Sequence, residues 1–244
     1  MTESVPPVEG KPNTLRNVLA VIIGIVPLYV FLMWQHITSG GIYTLTEMLL
    51  YPVLIGGGWI IVLLLLYRYM CGKPVSRLNR KPGVVWKDIL MGIALGAGLL
   101  VLFFIQMRVL SPLFPQEPPA QAIVTLLTEL ARDPVLIAVW MGPVVWIGVA
   151  GFEELQRVFI LDLLWDTSRS VFVKWGALLL SALLFALAHI YQGPANMIGI
   201  FAGGLVFGIF YLKTGRIWPM IIAHGIYDSL QVAMAVIQIR QAMG

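Results

Sequence analysis

The chain has 244 residues, of which 59% are hydrophobic and only 11% charged, with a formal net charge of +4 and a mean hydropathy of +0.88. A typical soluble protein carries about 25% charged residues, so this composition excludes disorder and excludes a water-soluble globule. It describes an all-α polytopic membrane helix bundle, in which the location of the positive charges matters more than their sum and no nucleic-acid partner is implied. A single cysteine, Cys71, excludes a disulfide framework and a multi-cysteine metal cluster.

Residues 1–16, with Pro6, Pro7 and Pro12, predict a flexible cytoplasmic lead-in to one transmembrane domain over 17–240. A helix needs ~20 mostly apolar residues to cross a bilayer core. Seven stretches qualify: Asn17–Trp34, Met48–Tyr67, Ile89–Met107, a long one from Pro134 to Trp165, Val173–Ile190, Pro194–Leu212 and Ile217–Ile239. The apolar run of the first is too long for the core of a signal peptide and no A-x-A pattern follows it, so a retained anchor is expected. Between the third and fourth spans, Pro112, Pro115, Pro118 and Pro119 forbid a continuous helix. After them Ile123, Leu126, Leu127 and Leu130 recur at helical spacing, predicting a short interfacial helix on the outer surface. Gly92/Gly96, Gly199/Gly203 and Gly204/Gly208 are small-xxx-small pairs and read as helix packing.

Lysines and arginines set the orientation. Lys11 and Arg16, the group Arg68, Lys73, Arg77, Arg80, Lys81 and Lys87, then Arg169, Lys174, Lys213 and Arg216 all fall on one side if seven spans alternate. Only Arg108, Arg132 and Arg240 fall on the other. Positive loops favour the cytoplasm, so the N-terminus is expected inside and the C-terminus outside, in a prokaryotic cytoplasmic membrane.

The residues that carry chemistry are ionisable groups at membrane depth, where a charge costs ~2.5–3.5 kcal/mol even on the mildest scale. The fourth span holds Glu153, Glu154 and Arg157 after nineteen uncharged residues. The fifth holds His189, and the seventh His224 and Asp228. Counted from the turns and rising 1.5 Å per residue, Glu153 lies ~20 Å deep, His189 ~24 Å, and His224 and Asp228 ~12 and ~18 Å. These groups can therefore line one polar cavity. Arg157 can pair with either glutamate, and His224 and Asp228 share one helical face.

Such a set serves several chemistries. A carboxylate assisted by an imidazole can take a proton from water for amide hydrolysis, and a second imidazole can stabilise the oxyanion. Glu153, His189, His224 and Asp228 also have the ligand types of a catalytic zinc site. Ser181, Ser229 and Cys71 are weaker candidates, the serines lacking an elbow motif and Cys71 lying at the mouth of the second span.

The pattern over Pro134–Leu230 resembles the CAAX protease and bacteriocin-processing (CPBP, or Abi) family of intramembrane glutamic endopeptidases. That family has a double glutamate followed by arginine, then Phe-x-x-x-His, then His-x-x-x-Asn/Asp. Phe185/His189 match the second motif and His224/Asp228 the third. Tyr211-Leu212-Lys213-Thr214-Gly215, followed by Trp218-Pro219 and Ala223-His224, is similar to the usual approach to the third. The first motif is one residue short, Glu-Glu-x-x-Arg in place of Glu-Glu-x-x-x-Arg. Aligned on the glutamates, Glu153 is the water-activating residue; aligned on Arg157, Phe152 takes that position and Glu153 becomes the structural partner.

The resemblance implies hydrolysis of a peptide bond in a membrane-associated peptide or protein without a metal. Glu153 with His189 would activate water, His224 and Asp228 would hold the oxyanion, and Glu154 with Arg157 would form a supporting pair. Other readings remain. One is a non-catalytic subunit or scaffold that binds a partner protein in a membrane complex; another is a zinc-dependent hydrolase. A proton-coupled transporter is a third, opposed by the lack of paired repeat halves. Asp228 can instead simply orient His224. His36 is expected at the interface, Asp162 and Asp166 solvated near the cytoplasmic boundary, and the Arg68–Lys87 cluster topological, with lipid headgroup contact.

Overall fold

In a computed structural model of the chain, the described residues are 13–39, 44–81, 83–114, 121–165 and 167–243, except for the side chains at 36, 39 and 122. Of the expected lead-in over 1–16, residues 1–12 lie outside them, as do Pro115, Pro118, Pro119, Asp166 and the His36 side chain, whereas Thr14, Leu15 and Arg16 already belong to the first helix.

The described elements are helical, and six helices are long and apolar enough to cross a membrane. We label the principal ones α1 (Thr14–Ser39), α2 (Leu45–Met70), α3 (Val85–Leu113), α4 (Gln121–Arg132), α5 (Pro134–Trp165), α6 (Val171–Leu187), α7 (Pro194–Thr214) and α8 (Trp218–Met243). Seven of these correspond to the expected spans. Their outward sides are apolar, as with Ile22, Ile23, Val26 and Val30 on α1, the surface a helix presents to hydrocarbon. The chain is an integral membrane protein.

The fifth span is shorter than expected. Instead of Val173–Ile190, α6 covers 17 residues and ends at Leu187. His189 has left the helix, with φ −106° and ψ 21°. Downstream, Gly193 takes φ 83° ahead of Pro194, the first residue of α7, so the chain reverses over 188–193. The reversal needs several residues, and His189 is among them.

The expected short helix is present as α4. Its Leu126 and Leu130 are buried against Val236 of α8 and Leu45 and Met48 of α2. The paired glycines sit at helix contacts: Gly92 and Gly96 of α3 face Pro219, Ile222 and Ala223 of α8, while Gly204 and Gly208 of α7 face Ala182 and Leu178 of α6.

Two winding changes set the site. Asp133 caps α5, its carboxylate accepting from the Val135 N–H at 2.7 Å. At Gly142 the backbone leaves helical values (φ −92°, ψ −108°) ahead of Pro143, and the turns over Trp140–Gly151 are wide, of π type. Proline removes one N–H from the ladder, and π-type turns often accompany functional sites. The turn at Trp146 lays its ring against Gly225 of α8, where a Cβ would come within 2.7 Å of the indole.

Asp162 overturns its expectation. It is fully buried, not solvated. Tyr67 Oη donates to its Oδ2 at 2.6 Å, Lys73 and Arg77 approach at 3.3 and 3.4 Å, and Arg80 bonds Oδ1. Part of the Arg68–Lys87 cluster therefore neutralises a buried charge inside the protein. A burial this deep is tolerable only with such partners.

Candidate active site

The first turn after the wide segment of α5 carries Glu153 and Glu154, one turn from Arg157. Glu154 is fully buried and Arg157 is 2% exposed. Arg157 Nη1 donates to both Glu154 oxygens at 2.9 and 2.8 Å. The sequence left Arg157 a choice of glutamates, and the helix makes it by placing Glu154 one turn away on the same buried face.

His224, on α8, completes the group. Its Nδ1 donates to Glu154 Oε1 at 2.8 Å. Its Nε2 faces Glu153 Oε2 at 3.7 Å and Asp228 Oδ2 at 3.4 Å. One imidazole thus stands among three carboxylates from two helices. His224 and Asp228 meet it together because they lie four residues apart on α8.

Phe185 organises the rest. Its ring lies 4.0 Å from the Arg157 guanidinium, with Phe207 on the same cation at 5.1 Å. The His189 and His224 rings pack edge-on against it at 5.0 and 6.0 Å. Such stacking holds a buried cation flat while leaving its edges for hydrogen bonds. His189 Nδ1 donates to the Phe185 carbonyl at 2.9 Å. A neutral ring so bonded presents Nε2 as a proton acceptor.

Glu154, Arg157, His189, His224 and Asp228 line a cavity of about 160 Å³. Glu153 lines a smaller chamber behind Arg157 and Phe185. Ser181 lines that chamber too and bonds the Arg157 carbonyl at 3.4 Å. Cys71 follows the last residue of α2. Among the described residues, no three His, Cys, Asp or Glu side chains are grouped so as to hold one metal ion.

Residues that the motifs did not point to also line the larger cavity. Gln106 Nε2 of α3 donates to Asn196 Oδ1 at 2.5 Å, and Asn196 Nδ2 donates to the Gln192 carbonyl at 2.8 Å. Gln231 and Tyr227 of α8 stand on the same wall. The available signal was an amide side chain inside an otherwise apolar run, as at Gln106. The arrangement as a whole offers carboxylate bases, imidazole donors and acceptors, and an amide-lined space for a polar backbone.

Residues 135–230 match the family profile described as Type II CAAX prenyl endopeptidase Rce1-like. The chain matches no curated protein and no solved structure.

Proposed function

We propose, from the match of residues 135–230 to the Rce1-like profile, that the protein is an intramembrane peptidase of the CPBP/Abi type. It hydrolyses a peptide bond of a membrane-associated peptide or protein, with its N-terminus on the cytoplasmic side. The observation that carries this reading is the His224 ring set among Glu153, Glu154 and Asp228 beside the 160 Å³ cavity.

Glu154 is committed to Arg157 and His224, which makes it a positioning group. Glu153 Oε2 has no hydrogen-bond partner among the described residues, which suits a base. In the proposed reaction Glu153 takes a proton from water and the oxygen bonds the substrate carbonyl carbon. The carbonyl π electrons move to its oxygen, which receives a hydrogen bond from His224 Nε2–H and from Asp228 in its acid form. The proton held on Glu153 then passes to the departing nitrogen as the C–N bond breaks, giving an acid and an amine. His189 Nε2 faces the same space as a proton acceptor that assists this transfer.

The test is cleavage of a membrane-peptide library by the purified protein in nanodiscs, with metal content measured on the same sample. Cleavage is expected, with Glu153→Gln lowering it by about 10²–10⁴ and chelation leaving it unchanged. Undiminished turnover by the Gln variant removes Glu153 as base. A stoichiometric metal overturns the metal-free chemistry. No turnover of any peptide favours the partner-binding subunit.

A further inference from the structure

The two glutamates face different spaces. Glu154 lines the larger cavity, whereas Glu153 lines a chamber of about 10 Å³ with Tyr29, Gln156, Arg157, Ser181 and Phe185. Arg157 and Phe185 line both, so their stacked pair is the partition between them. Tyr29 comes from α1, well outside the matched segment.

The walls of the small chamber are polar and incompletely bonded. Glu153 Oε2, Gln156 Nε2, and Arg157 Nε and Nη2 have no hydrogen-bond partner among the described residues. Gln156 is 7% exposed and Arg157 2%. Tyr29 Oη donates its proton to the Leu184 carbonyl at 2.7 Å, which leaves its lone pairs as acceptors. Buried polar atoms are rarely left unpaired, and water usually satisfies them. A space of ~10–15 Å³ with two to four polar partners is what one water requires. The donors and acceptors balance: a water here accepts from Gln156 and Arg157 and donates to Glu153 and Tyr29.

We infer that this chamber is a single-water site separate from the substrate cavity, that its occupant is the water Glu153 deprotonates, and that Tyr29 is a positioning residue. This rests on the peptidase reading for its chemistry, though not for the water site itself. One O–H bond of that water breaks, its proton goes to Glu153 Oε2, and the remaining lone pair forms the C–O bond to the substrate. Glu153 stands at the junction, since its Oε2 lies 3.7 Å from His224 Nε2, and His224 lines the larger cavity. Substrate and water would then approach Glu153 from different sides and meet where its carboxylate faces His224.

The test uses the purified full chain in two measurements. In infrared spectra without substrate, the carboxylate band lost in Glu153→Gln should shift in Tyr29→Phe and in Gln156→Met, each of which deletes one partner of the water while keeping the side chain's bulk. In cleavage assays Tyr29→Phe should lower kcat by roughly ten- to a hundredfold with KM within twofold. An unshifted band in both variants overturns the water site, whether or not the protein cleaves anything. A shifted band with an unchanged kcat overturns the positioning role of Tyr29. A shifted band in a protein that cleaves no peptide supports the water site and overturns the peptidase reading instead.

Discussion

His224 Nδ1 and Glu154 Oε1 lie 2.8 Å apart, a bond that ties α8 to α5 across 70 residues of sequence. The same carboxylate accepts from Arg157 through both oxygens. Removing it leaves a guanidinium buried between two phenylalanine rings with no counter-charge. Loss of one member of a buried pair costs ~3–5 kcal/mol, so Glu154→Ala should unfold far more readily than Glu153→Gln. Chemical unfolding in detergent measures the difference. Equal midpoints would make Glu154 dispensable to the fold.

Asp228 supplies the second prediction. A carboxyl group donates a hydrogen bond only in its acid form, whereas an asparagine amide always can. If Asp228 serves the oxyanion, Asp228→Asn retains cleavage and Asp228→Ala loses about 10²–10³ in kcat. If it serves only to orient His224 by its charge, the Asn variant falls with the Ala variant. Steady-state kinetics on the pair separates the two.

Asp162 is the keystone of the other end of α5. It gathers Tyr67, Lys73, Arg77 and Arg80 from α2 and the following connection. Asp162→Ala should lower stability by about 3–5 kcal/mol, while exchange of a single cation should cost less because the others remain. Thermal unfolding of the four variants checks the ordering. A cation variant as damaged as the Asp162 variant would contradict it.

Burial pushes the Cys71 thiol above its ordinary value, with Lys73 and Arg16 opposing the shift. A raised value means less thiolate at any given pH, and the thiolate is the reactive form. Alkylation of Cys71 by iodoacetamide should therefore be slow at neutral pH and climb only above the ordinary thiol value of ~8.5. A rate profile with its midpoint at or below that of a free thiol would contradict the burial.

How much could be read beforehand depended on sequence distance. The spans follow from runs of apolar residues, and the site motifs follow from spacings of three and four on single helices. A common depth for Glu153 and His189 follows from the hairpin of their spans and a rise of 1.5 Å per residue, whereas the bond from His224 to Glu154 depends on how α8 packs on α5. The burial of Asp162 is not legible in the sequence because its partners lie 82 to 95 residues away, and a carboxylate near a boundary looks the same in sequence whether solvated or enclosed. Ala-Leu-Ala-His continues the apolar run of α6, so the sequence pattern carries the helix through His189, and nothing local to that run marks the reversal ahead of Pro194. The division of labour between Glu153 and Glu154 was not legible either. Adjacent residues on a helix point about 100° apart, and only the neighbouring helices decide which direction faces what.

The early end of α6 also bears on its fit to the bilayer. Seventeen residues rise ~26 Å, at the lower limit of what spans a ~30 Å hydrocarbon layer. A helix of this length is accommodated by local thinning of the bilayer, by flanking polar side chains or by neighbouring helices. His189, two residues past the end of α6, therefore stands nearer the terminus of its span than its middle, which shortens the distance a proton travels between the imidazole and the polar boundary.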